Sequence, residues 1–159
     1  MKLLKYINES FDKPYPFDWR RIPHDNKGIG FRGSFKSSKH TIEVALTPDL
    51  DKENEWELFF FIKNKDISGN FDLTNDGDAF RIFATVIAMT NDALDIIQKS
   101  KKLSIDTLFF TASKEKSDNE KITSDARSKL YVRIVKKLIK PKNIRIVDLY
   151  DKTKFYIII

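Results

Sequence analysis

The stretch from Ala79 to Lys99 constrains the fold more than any other part of this sequence. Phe80, Phe83, Ile87, Leu94 and Ile97 recur at helical spacing, and Ile82, Val86, Met89, Ala93 and Ile96 add an adjoining stripe. An apolar surface this wide predicts a helix buried on more than one side. Two apolar strand-like segments flank it. Glu55 to Lys63 places Trp56, Leu58, Phe60 and Ile62 on one face, and Phe59 and Phe61 on the other. That pattern predicts a central strand covered on both sides. Ile105 to Ala112 has its apolar centre at Leu108, Phe109 and Phe110. A helix joining two such strands predicts a right-handed βαβ crossover and a parallel pair.

The remaining segments predict antiparallel neighbours. His40 to Thr47 alternates Ile42, Val44 and Leu46 against Thr41, Glu43 and Ala45, as a half-buried strand does. The polar turn Pro48 to Asn54 makes it a hairpin with Glu55 to Lys63. Ile29 to Ser34 is a further short strand, loosened by Gly28, Gly30 and Gly33. Asp125 to Ile139 is an amphipathic helix, with Leu130, Ile134 and Leu138 on one side and Lys129, Arg133, Lys136 and Lys140 towards the other, ended by Pro141. Ile144 to Tyr150 and Phe155 to Ile159 form a closing hairpin. Residues 2–9 suit a short helical turn, and Phe11 to Trp19, broken by Pro14 and Pro16, reads as an irregular aromatic arm. The expectation is one α+β domain over residues 1–159, with residues 1–28 as an N-terminal arm. Its sheet is mixed and mostly antiparallel around a central βαβ crossover.

Composition removes several chemistries. The 159 residues include no cysteine, so disulfides, thiolate nucleophiles and zinc–thiolate sites are excluded. His24 and His40 are the two imidazoles and stand at no metal-ligand spacing. Neither GxxxxGK[ST] nor GxSxG occurs. Met1 to Ser10 is too short and polar for a secretory signal, and no apolar run approaches the ~20 residues of a membrane-spanning helix. The expectation is therefore a cytoplasmic protein with no membrane partner.

The net charge of +6 is unevenly placed. From Lys99 onward there are 16 basic and 7 acidic side chains, against 13 and 16 before it. A basic half suits phosphate, nucleic acid or an acidic partner, and equally a solvated lysine surface. The helix 125–140, with Lys129, Arg133, Lys136, Lys137 and Lys140, is the candidate nucleic-acid surface. Phe59, Phe60 and Phe61 read as a sandwiched strand flanked by glutamates rather than as a base-stacking platform. Glu55 and Glu57 share a strand face and suit rim charges.

Two short stretches carry a family resemblance. Thr74-Asn75-Asp76-Gly77-Asp78-Ala79 precedes the long helix, and Ser124-Asp125-Ala126-Arg127-Ser128-Lys129-Leu130-Tyr131, followed by Arg133, opens the second helix. Together with the order of elements from Glu55 onward, they resemble the core of GCN5-related N-acetyltransferases. That family has Q/R-x-x-G-x-G/A at the first place and N-x-x-A-x-x-L-Y at the second. Gly77, Ala79, Leu130 and Tyr131 match. Thr74, Ser124 and Arg127 depart from the pattern, and the family's Gly-Phe ending is absent.

The resemblance implies a divergent acyl-CoA N-acyltransferase-like protein, active or degenerate, with acetyl-CoA as cofactor and a CoA thioester as partner. It implies that the main chain of Phe60, Phe61 and Ile62 binds pantetheine and that Asn75, Gly77 and Ala79 hold the pyrophosphate. Tyr131 is then the general acid and Glu57, or Glu55, the general base. Asp76 and Asp78 oppose this: as capping acids they stabilise the helix by roughly 0.3–1 kcal/mol each, yet they repel a pyrophosphate.

A second resemblance lies at the start. Met1-Lys2 and Tyr6-Ile7-Asn8-Glu9-Ser10 look like the head-targeting leader of internal virion proteins in tailed bacteriophages, which reads M-K-…-F-I-x-E. It implies the alternative of a noncatalytic bacteriophage virion or host-interaction protein. Such a protein uses the fold as a binding module, in the host cytoplasm or the virion, with a phage or host protein as partner.

Overall fold

Alternation along each strand, together with the register between strands, fixes which side chains share a face. The structure, a computed structural model, describes residues 13–23, 29–63, 78–113, 129, 131–150 and 152–159. Its strands are β1 (Phe17–Pro23), β2 (Ile29–Lys36), β3 (Thr41–Pro48), β4 (Glu55–Ile62), β5 (Thr107–Ser113), β6 (Asn143–Asp148) and β7 (Lys152–Ile158). Helix α1 is Asp78–Lys99, and a second helix, α2, is described over 131–138. The strands form one sheet in the order β1-β2-β3-β4-β5-β7-β6. Every neighbouring pair is antiparallel except β4 and β5, which run parallel with α1 between them in the chain. The class is α+β, with a mixed, mostly antiparallel sheet as expected.

One face of the sheet, here the inner face, holds the core. Phe31 and Phe35 on β2 lie beside Ile42, Val44 and Leu46 on β3, then Trp56 and Leu58, Leu108 and Phe110, and Phe155 and Ile157, all buried. Each fully buried side chain of this size contributes about 1.5–3 kcal/mol. Both helices pack here. Trp19 Nε1 donates to Met89 O at 2.7 Å, Phe83 of α1 lies 5.9 Å from Phe60, and Tyr131 of α2 meets Phe110 and Phe155 edge-on. Within α1 the buried Thr85 and Thr90 hydroxyls donate to Arg81 O and Val86 O, one turn back, which leaves neither unsatisfied. After α2, Lys140 takes a φ of 53°, and Pro141 follows, as helix C-termini favour.

Two expectations are corrected. Residues 17–23 are an edge strand, not an irregular arm. Pro14 and Pro16 lie before the strand, and Pro23 is its last residue on the sheet edge, where no ladder donor is needed. Phe17 and Trp19 turn inward, while Asp18 and Arg20 are exposed. The residues just before it are strapped to α1: Tyr15 N donates to Thr85 Oγ1 at 3.0 Å, Arg81 Nε to Lys13 O at 2.8 Å, and the Arg81 guanidinium covers the Tyr15 ring. The predicted turn at 2–9 lies outside the described residues.

The second correction concerns β4. Among the described residues no helix lies on the outer face of the sheet, and Phe59 is 44% exposed. On the outer face the Phe59 ring of β4 is therefore open, whereas Phe109, outward on the neighbouring β5, is 4% exposed.

The close pairing of β1 with β2, and the seat of Trp19 and Met89 on it, depend on Gly33. A β-carbon there would lie 2.7 Å from both Met89 Cε and Trp19 Cε3 and would strike the main-chain oxygen of Asp18. Gly33→Ala is expected to lower stability by about 1–3 kcal/mol and the melting temperature by roughly 3–10 °C. Scanning calorimetry checks this, and an unchanged melting temperature would refute the close approach.

Candidate functional site

Strands β4 and β5 are pinned at one end and part at the other. At the pinned end Asn54, with a φ of 63°, presents its carbonyl to Asp106 N at 2.8 Å and Thr107 N at 3.2 Å. Trp56 Nε1 donates to Ser104 O at 2.9 Å. The parallel ladder then pairs Glu55 with Thr107, Trp56 with Leu108 and Glu57 with Phe109, and goes no further. Beyond it β4 stays with β3 as far as Ile62, while β5 stays with β7 as far as Ser113.

The direction of the main-chain groups along this opening follows from parity. Asp49 N donates to Glu55 O and Lys63 N to Thr41 O, so the odd-numbered residues of β4 bond towards β3. Those of Leu58, Phe60 and Ile62 therefore turn towards β5. Ile159 N donates to Asp106 O, so the even-numbered residues of β5 bond towards β7, and Thr111 and Ser113 turn towards β4. Beyond the ladder, main-chain N–H and C=O groups of both strands thus turn towards the space between them. On its inner side the rings of Phe60, Phe83 and Phe110 approach one another at 5.9–6.4 Å, so the first turns of α1 lie over it.

The residues expected to bind cofactor are distributed as follows. Phe60 and Ile62 edge the opening and Phe61 bonds towards β3. Ala79 is in the first turn of α1, and Asn75 and Gly77 lie outside the described residues.

The expected acid and base do not come together. Tyr131 is 3% exposed on the inner side, stacked on Phe83 with centroids 4.4 Å apart. Glu57 pairs with Phe109, one residue out of phase with the buried Trp56 and Leu58, and so points to the outer face. The sheet separates the two groups. Burial pushes the Glu57 carboxyl above the ordinary carboxylate range. Lys154 opposes the shift, Asp49 reinforces it and Lys152 opposes it.

The outer face around Glu57 holds an arrangement that sequence reasoning missed. Cross-strand register sets Glu57, Phe109, Tyr156 and Arg145 in one row. Thr111 and Lys154 lie in the next, and Ser113 and Lys152 in the one after. The Lys154 ammonium sits 4.1 Å from the Phe109 ring centroid and 4.9 Å from that of Tyr156, and the Arg145 guanidinium 4.5 Å from the Tyr156 ring. The signal was present in β7, where Lys152, Lys154 and Tyr156 alternate with Thr153, Phe155 and Ile157. The basic helix face is as expected over its described part: Lys129, Arg133, Lys136, Lys137 and Lys140 are exposed, and Tyr131, Ile134 and Val135 are buried.

Among the described residues no three His, Asp or Glu side chains are grouped to hold a metal ion, and no helix is long and apolar enough to cross a membrane. No protein-family model, no curated protein and no solved structure matches this chain.

Two substitutions test these placements. Tyr131→Ala is expected to cost about 3–5 kcal/mol of stability, and Tyr131→Phe much less, by denaturant titration; equal small losses would contradict a core role. For Glu57 a raised folded-state pKa means that the folded chain binds more protons than the unfolded one. The contribution of this group to stability is then fully present below the ordinary carboxylate pKa and is lost as pH rises through its raised folded-state pKa. Glu57→Gln is expected to raise the melting temperature at pH 7, with the gain vanishing below about pH 4. A gain that persists at low pH would point to another cause.

Proposed function

We propose that this chain is a divergent acyl-CoA N-acyltransferase-like protein that keeps a cofactor-type opening and works as a binding module. The supporting observation is the parting of β4 from β5 after Glu57 and Phe109. Where a parallel ladder stops, main-chain donors and acceptors turn towards the gap and can be met by the amides of an extended chain, and the pantetheine arm of acetyl-CoA is such a chain. The first turns of α1 over the opening suit the resemblance carried by Gly77 and Ala79. The Phe60, Phe83 and Phe110 rings narrow the opening on that side, so the ligand enters along its main-chain edges.

Glu57 and Tyr131 lie on opposite sides of the sheet, and a direct proton relay needs both within hydrogen-bond reach of one substrate. This favours binding without turnover by that pair. It also favours the second reading, a noncatalytic bacteriophage virion or host-interaction protein that uses the same fold.

Calorimetric titration with acetyl-CoA separates the readings. Heat of binding and a raised melting temperature are expected, and both are expected to survive Tyr131→Phe. No heat and no thermal shift at millimolar acetyl-CoA would end the cofactor reading. The virion reading is checked by mass spectrometry of purified particles, and absence from them removes it.

A further inference from the structure

We propose that the outer face of the sheet, from β4 across β5 to the β6–β7 hairpin, binds single-stranded nucleic acid. This surface is distinct from the opening between β4 and β5 and from the basic face of α2.

The argument begins with what an open sheet face normally carries. A solvent-facing side of an antiparallel sheet is polar, and large exposed rings on it call for a partner. Here Phe59 is 44% exposed and Tyr150, in the turn of the hairpin, is fully exposed. Tyr156 is half-buried. Cations stand between and beside these rings. Arg145 and Lys152 are exposed, and Lys154 lies over the Phe109 and Tyr156 rings.

The charge on this part of the face has one sign. The outward positions of β5 are Thr107, Phe109 and Thr111. Those of β7 are Lys152, Lys154, Tyr156 and Ile158, and those of β6 are Asn143, Arg145 and Val147. None is acidic. The acids on β4, Glu55 and Glu57, face Thr107 and Phe109 at the pinned end. Lys152 and Lys154 start from rows nearer the opposite end, in register with Ser113 and Thr111, and the Lys154 ammonium reaches back over Phe109 beside Glu57 and offsets that acid.

Rings that accept stacked bases, interleaved with cations that reach phosphates, are what sequence-tolerant binding of a single strand requires. A duplex hides its base faces and offers nothing to the rings. A protein partner of opposite charge would use the cations and leave stacking unexplained. The observations therefore favour the single strand.

The test is fluorescence anisotropy with a labelled oligothymidylate of about 12 nucleotides and the full chain. Three phosphate contacts, by Arg145, Lys152 and Lys154, give a slope near −2 in log affinity against log salt, a loss of roughly twentyfold between 50 and 200 mM. Phe59→Ala and Tyr150→Ala remove exposed rings and leave the core intact. Each is expected to weaken binding about tenfold. Arg145→Gln with Lys152→Gln is expected to flatten the salt slope by roughly 1.4.

Three results would overturn the proposal. The first is no binding at 50 mM salt. The second is equal affinity for the corresponding duplex. The third is binding that survives all four sheet substitutions but is lost when Lys129, Arg133, Lys136 and Lys140 of α2 are changed to Gln.

Discussion

Five aromatic rings, Phe60, Phe83, Phe110, Tyr131 and Phe155, meet on the inner face of the sheet, each within 4.4–6.4 Å of at least one other. They come from β4, α1, β5, α2 and β7, so every described element of the second half except β6 is anchored at one place, and β6 is held to it through its pairing with β7. Aromatic pairs in tilted or offset geometry add about 0.5–1.5 kcal/mol each beyond the area they bury. The cluster fixes the depth at which α1 lies, and through Met89 and Trp19 it fixes the position of the distant edge strand β1. It also explains why Tyr131 is poorly placed to give a proton to solvent-borne substrate: its ring is a structural part of this joint.

Much of the fold could be read from periodicity. The helix Asp78–Lys99 and strand Thr41–Pro48 were legible because their apolar residues recur at the helical and strand periods. The strand buries one face, and the helix, with every residue from Ile82 to Ile87 buried, is covered on more than one side as its wide apolar surface implied. The βαβ crossover followed from chain order, and the parallel pair of Glu55–Glu57 with Thr107–Phe109 bears it out. Strand Phe17–Pro23 was hidden by Pro14, Pro16 and Pro23. These residues break a ladder in a sheet interior, but before a strand or at its end on an edge they break nothing.

The candidate site was less legible. Glu57 and Tyr131 were brought together by family pattern, yet which side of a sheet a residue takes is a matter of register, and a shift of one position reverses it. The same parity organises Lys152, Lys154 and Tyr156 against Phe109 and Arg145, residues far apart in sequence. Phe59 and Phe61 misled in the opposite direction. Apolar side chains on both faces of a strand do not by themselves show that both faces are covered, and Phe59 is exposed.

The short ladder between β4 and β5 has a mechanical meaning. β1 to β4 form a meander of neighbours in sequence, and β5 to β7 form a second group around the closing hairpin. Across the sheet these groups share three residue pairs, reinforced at one end by the Asn54 carbonyl. Inside each group the strands pair along six or seven residues. A sheet built this way has a seam. Strain applied across it loads a few hydrogen bonds, those of the short ladder and of the Asn54 carbonyl. Cooperative units of unfolding tend to follow such boundaries, and α1, whose Phe83 touches both Phe60 and Phe110 on the inner face, is the brace that joins the two groups.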